Sequence, residues 1–142
     1  MTPPRLFLSH ATADEAQLRT AVALLRRLGV EIFLCGDSIR GGARWWDTIL
    51  TALRDCDRFV LVLSPESRQS SWCAFEAGAA VALGKPIRLL SLDGAPPPSF
   101  LGHLQMLDVP RVIRSRPWLS MEDALVESLI AKEGHGSGTG SA

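Results

Sequence analysis

RFVLVLSPESRQSSWCAFEAGAAVALGKPI, residues 58–87, decides the fold. Its first six residues form a near-continuous apolar run, the mark of a strand buried on both faces of a parallel sheet. PESRQSS reads as a polar loop, and one of its last two serines can cap a helix. WCAFEAGAAVAL is that helix, and Gly84-Lys85-Pro86 closes it. Residues 87–92 (IRLLSL), mostly apolar, read as the next strand. Strand, helix and strand in this order predict parallel neighbours joined by a helical crossover.

The same alternation extends to both sides. Residues 5–9 (RLFLS) read as a short buried strand. Thr12 to Glu15 has the spacing of a capping box. Leu18, Ala21, Val22, Leu25 and Leu28 then recur at helical spacing, and Gly29 sits where a left-handed cap residue is wanted. Residues 30–34 (VEIFL) read as a second strand, followed by the Gly-rich loop CGDSIRGGA. A helix from about residue 44 to 55 carries Trp46, Ile49, Leu50 and Leu53 on its apolar face. Residues 94–102 read as irregular, with room for one short helical turn. Residues 107–113 are expected to form a fifth strand, at an edge because of Pro110. Ser120 to Asp123 resembles another cap, opening a last helix to about residue 132. Five strands alternating with helices predict an α/β fold. It is flavodoxin-like, a central five-stranded parallel sheet with helices on both faces, in the order 2-1-3-4-5. The loops after strands one, two and three then lie at the ligand edge of the sheet.

The chain has 142 residues, the size of one domain, and 46% hydrophobic residues, enough for a real core. Residues 1–132 are expected to be that domain and residues 133–142 a flexible Gly/Ser tail or linker. Formal net charge is zero and the basic residues, nearly all arginine, are scattered. That is no footprint for nucleic acid. No apolar h-region opens the chain and no run of 18 apolar residues occurs, so neither a signal peptide nor a membrane span is expected. The three cysteines, Cys35, Cys56 and Cys73, lack CxxC spacing and fit a reduced, cytoplasmic protein. No ligand-type residues show metal spacing, so no metal is expected. A phosphate-binding P-loop is also absent.

Within WCAFEAGAAVAL every residue but one is apolar or glycine; the exception is Glu76. A lone helix glutamate is commonly a solvent-facing residue or the partner of a core arginine. Here Ala74, Ala77, Gly78 and Ala80 leave space beside it. Trp72, four residues earlier, shares its face. This predicts a cleft with an aromatic wall, at the end of the helix that points to the ligand edge.

FLSHATADE, GDSIRGGARWWDTILTAL and the opening stretch, taken in order, resemble a Toll/interleukin-1 receptor (TIR) domain of the compact bacterial kind. The specific elements are W-x-x-x-E at Trp72 to Glu76 and G-x-x-W at Gly42 to Trp45. The resemblance implies an NAD+ glycohydrolase that cleaves the nicotinamide–ribose bond. Its products would be nicotinamide and ADP-ribose or a cyclic isomer. It also implies activation by self-association and a role in antiphage defence, with NAD as substrate and no cofactor. Glu76 takes the catalytic position. Ser9, His10, Asp37, Trp45 and Trp72 are candidate substrate-binding residues. His10 also reads as a strand-end polar residue, Trp45 as core and Trp72 as a structural residue holding the helix. Gly36, Ser38, Ile39, Arg40, Gly41 and Gly42 match the self-associating BB loop. The implied partners are NAD+, further copies of the chain and a fused or associated sensor domain, without nucleic acid or membrane. Where family members often carry an acid after the second strand, this chain has Cys35. Two other readings remain: a non-catalytic TIR adaptor, and a nucleoside deoxyribosyltransferase, which shares the fold and also uses a glutamate.

Overall fold

The computed structural model describes residues 4–36 and 43–130. The residues of the tail, 133–142, and Asp37, Ser38, Ile39, Arg40, Gly41 and Gly42 lie outside the described residues. Five strands, β1 (Arg5–His10), β2 (Glu31–Gly36), β3 (Arg58–Leu63), β4 (Ile87–Ser91) and β5 (Met106–Asp108), pair in the order β2-β1-β3-β4-β5. Every pairing is parallel. This is the flavodoxin-like order that the alternation of elements predicts.

Among the described residues there are six helices: α1 (Glu15–Arg27), α2 (Ala43–Asp55), α3 (Pro65–Arg68) and α4 (Ser71–Ala82) between strands, and α5 (Val109–Ser115) and α6 (Met121–Ile130) after the last strand. Strand side chains alternate between two cores because successive residues point to opposite faces. Phe7, Phe59, Leu61 and Leu89 pack under α2 and α4, against Ile49, Leu53, Cys73, Ala77 and Ala80. Leu8, Val60, Val62 and Leu90 pack on the other face. Their partners there are Leu18, Val22 and Leu25 of α1 and Leu125 and Leu129 of α6. Each such large side chain, once buried, contributes roughly 1.5–3 kcal/mol. The central strands have core on both sides, which explains their unbroken apolar runs.

Helix ends follow the sequence signals in most places. The Ser70 hydroxyl accepts from the Cys73 amide, at 3.1 Å, to cap α4. Ser120 does the same for Asp123 at α6. Gly29 follows α1 with φ +91° and Gly84 follows α4 with φ +70°. At α1 the Gly29 amide donates to Arg26 and the Val30 amide to Leu25. At α4 the Gly84 amide donates to Val81 and the Lys85 amide to Ala80. Both ends are Schellman motifs, which satisfy helix carbonyls through a left-handed residue.

Four expectations need correction. Residues 107–113 are not one strand: β5 stops at Asp108, whose carboxylate accepts from the Arg111 amide and starts α5. Pro110 falls in the first helical turn, where a missing N–H costs nothing. PESRQSS is not wholly loop, because Ser64 and Ser67 form a reciprocal capping box around α3. The capping box read at Thr12 to Glu15 does not form. A 3-10 turn spans Thr12–Asp14 and Glu15 pairs with His10 instead. Trp46 is not core but 41% exposed, because Ile49 and Leu53 define the buried face of α2.

Replacing Gly29 or Gly84 by alanine is expected to cost roughly 1–2 kcal/mol each, the cost of a Cβ in left-handed backbone. The two sites follow helices on opposite faces of the sheet, so the losses should add. Urea denaturation of both single variants and the double variant checks this, with midpoints falling and slopes unchanged.

Candidate active site

The strand register builds the site. Ser9 of β1 lies directly opposite Cys35 of β2. Both point to the face that carries Phe7 and α4, because they continue the alternation set by Phe7 and Phe33. Glu76 reaches down from α4 onto this pair. The Ser9 hydroxyl donates to Glu76 Oε1 at 2.7 Å. The Cys35 thiol donates to Glu76 Oε2 at 2.7 Å. All three side chains are 0% exposed. Both carboxylate oxygens thus receive neutral donors from two adjacent strands. Such bonding is what lets a carboxylate be buried at all. Glu76 is the sixth residue of α4, beyond the first turn in which a helix dipole acts.

Burial pushes the Cys35 thiol far above the ordinary thiol range. The neighbouring Glu76 charge and its hydrogen bond add to the rise, the Trp72 indole opposes it, and Cys73 adds a little more. Cys35 is therefore a thiol and not a thiolate, which makes it a standing donor. Cys56 is also raised, first by burial, with Lys85 working against it.

Aromatic rings surround the carboxylate's helix. Trp46, Trp72 and Phe75 form a group with centroids 5.1–6.1 Å apart. Trp46 and Phe75 show 41% and 38% of their surface. Trp45 turns the other way, stacking on Phe33 at 6.3 Å, and Phe33 in turn stacks on Phe7. The Trp45 indole N–H is buried with no hydrogen-bond partner among the described residues, whereas the buried Trp72 N–H acts on the Cys35 sulfur. An orphan donor such as that of Trp45 costs about 1–3 kcal/mol.

The structure therefore brings together Glu76, Ser9 and Trp72, with Trp45 one layer away on Phe33. It does not bring His10 to them. The His10 ring is buried toward α1, where Nε2 meets Glu15 Oε1 at 3.1 Å. Gly36 ends β2 against that ring: a Cβ there would meet Thr12 Oγ1 at 3.1 Å and His10 Nε2 at 3.4 Å. A side chain there would need the Thr12 and His10 side chains to give by a few tenths of an ångström. The remaining candidates, Asp37 and the BB-loop residues 38–42, lie outside the described residues. The expected open cleft is corrected too, since Glu76 is sealed. Two cavities lie at the other end of the strands. One of about 280 Å³ is lined by Arg5, Glu31 and Cys56, and one of about 380 Å³ by Pro4, Val30 and Ile130. Cys35, noted in the sequence only as a departure from the family's acid, does make a polar contact at the site, to Glu76. Its signal was the alternation Phe33, Cys35, had the strand been carried two residues further. Among the described residues no group of His, Cys, Asp or Glu could hold a metal ion.

A five-stranded parallel flavodoxin-like sheet with a helix-borne glutamate at the C-terminal strand edge defines the class. Within it, residues 6–124 match the family model for the TIR domain, and the chain belongs to that family. The TIR domain of the Toll-related receptor TRR-2 from Hydra magnipapillata superposes with a TM-score of 0.63. That match is 23% identical and covers 80% of this chain and 90% of that one. The TIR domains of the activated Roq1 resistosome, which directly recognises the pathogen effector XopQ, superpose with a TM-score of 0.55. They are 16% identical over 88% of this chain and 82% of that one. A 2-desoxiribosyltransferase from Leishmania mexicana is 29% identical over 66% of this chain and 68% of that one, with a TM-score of 0.52. No curated protein matches the sequence significantly.

The three thiols are buried and none is in a disulfide. A chromogenic disulfide reagent at pH 8 is expected to find no reactive thiol in the native protein and three after guanidinium unfolding. A thiol titrating in the native state would show that a core cysteine is reachable.

Proposed function

We propose that this TIR domain is an NAD+ glycohydrolase with Glu76 as its catalytic carboxylate. The observation that carries the reading is a buried carboxylate held on both oxygens by neutral donors at the ligand edge of the sheet. Ordinary glycosidases use two carboxyl groups, one of them to protonate the leaving oxygen. NAD carries a pyridinium, and nicotinamide leaves neutral without a proton. What remains to be stabilised is a cationic ribose, for which one desolvated carboxylate suffices. Ser9 holds Oε1 in place, and Trp72, one turn earlier on α4, flanks the Cys35 side of the carboxylate.

Glu76 is fully covered, so NAD reaches it only after the surrounding side chains rearrange. Self-association is the event proposed to do this. The TIR domains of the Roq1 resistosome belong to an activated assembly, which supports that reading. Consumption of NAD by the assembled protein would serve defence by halting an infected cell. No described helix is long and apolar enough to cross a membrane, and the three reduced thiols fit a cytoplasmic setting. The similarity to a desoxiribosyltransferase favours a second reading, transfer of a deoxyribosyl group between bases by the same carboxylate.

The test is chromatography of nicotinamide and ADP-ribose products from concentrated protein, with and without a crowding agent. The wild type should release nicotinamide. Glu76→Gln should be slower by a factor of about 10² or more, as for loss of a group that stabilises transition-state charge. The nucleotide product distinguishes hydrolysis from cyclisation. If NAD survives while a deoxynucleoside exchanges its base, the transferase reading stands. If neither substrate reacts, the domain is an adaptor.

A further inference from the structure

We propose that Cys35 is a positioning residue: its thiol, opposite Ser9 on the neighbouring strand, fixes the Glu76 carboxylate and keeps it ionised. The inference rests on the proposed function for its catalytic consequence, but the Cys35–Glu76 interaction itself is tested without turnover.

Three observations carry it. Cys35 Sγ lies 2.7 Å from Glu76 Oε2. The two strand residues that flank the carboxylate are register partners, so Oε1 and Oε2 are each met from a separate strand. All three groups are fully buried, where a hydrogen bond to a charge is worth more than at the surface. A thiol is a weak donor, but this one cannot ionise at working pH and so cannot turn repulsive. An acid at the same position would bring two carboxyl groups together. One of them would then have to hold a proton, as like charges in one site require. The cysteine removes that competition and leaves Glu76 as the charged member.

Among the described residues, few other titrating groups face Glu76. On this side of the sheet α4 contributes Cys73, while β3 contributes Leu61 and Leu63, and α2 contributes Trp45, Ile49 and Leu53. Asp47, Arg54 and Asp55 of α2 are exposed. His10 and Glu15 pair on the opposite side, and Asp14 accepts from Ser64. The side chains of Asp37, Arg40 and Arg44 lie outside those described. A donor to a carboxylate stabilises its ionised form and lowers its pKa; removing the donor raises it.

The experiment follows the Glu76 carboxyl carbon by NMR across pH in protein labelled at the glutamate carboxyl. Its resonance is identified by its loss in Glu76→Gln. In Cys35→Ala the titration midpoint should rise by about one pH unit, the size expected for one charge-assisted hydrogen bond. Cys35→Ser, which restores a donor, should bring it back toward the wild-type value. Cys35→Asp should raise it further than alanine does. The acid limb of kcat/KM for NAD should move in the same order, whereas a merely structural role would lower activity without moving the limb. An unchanged titration curve in Cys35→Ala, including one flat in both proteins, overturns the proposal. A shifted curve without NAD turnover in any variant upholds the interaction and overturns the glycohydrolase reading. If the alanine variant fails to fold, the serine and aspartate variants give the same comparison.

Discussion

A carboxylate cannot be buried without donors, and that requirement organises this domain. Glu76 is the one charged group of an otherwise apolar helix, and it meets the sheet at the Ser9–Cys35 pair. The pair exists because β1 and β2 run parallel in one register. A slip of one residue would turn every side chain of β2 to the other face. Cys35 would then point toward α1, and Glu76 would lose a donor. The position of α4 is equally constrained, since Ser70 caps its start and the Schellman end at Gly84 fixes its length. Local signals at the ends of a helix thus set where its middle meets the sheet.

Much of the fold was legible because its signals are local. Apolar runs such as Phe59 to Leu63 and the glycines after α1 and α4 are read directly from adjacent residues. Errors arose where one residue type serves two structures. Pro110 argues against an interior strand, but it suits the first turn of a helix equally well, and only the Asp108 cap decides between them. Glu15 has the spacing to cap α1, but a buried histidine five residues earlier takes it instead. Trp45 and Trp46 are adjacent and chemically alike. Which one is buried depends on the phase of α2 against the sheet, which the pair alone does not reveal.

The site was half legible. Glu76 and Trp72 stand out because a charge and a large ring on one helix face are unusual in a run of small residues. Ser9 follows from its place at the end of the first strand. Cys35 was hidden because its role depends on a register between strands some 26 residues apart in the chain and on a strand end that apolar pattern does not mark. His10 was a plausible neighbour in sequence and a wrong one in space. Consecutive strand residues face opposite ways, so the sheet separates it from Ser9.

The aromatic distribution has an optical consequence. The chain has four tryptophans and no tyrosine, so its ultraviolet absorption and emission come chiefly from indole. Trp45, Trp46 and Trp72 lie on the α2–α4 side of the sheet, in contact with other aromatic rings. Trp118 is remote from them and 78% exposed. Exciton coupling between the clustered rings would give the near-ultraviolet circular dichroism a strong signature of the site's packing, against an almost featureless background from Trp118. The protein thus carries a built-in chromophore array around its buried carboxylate.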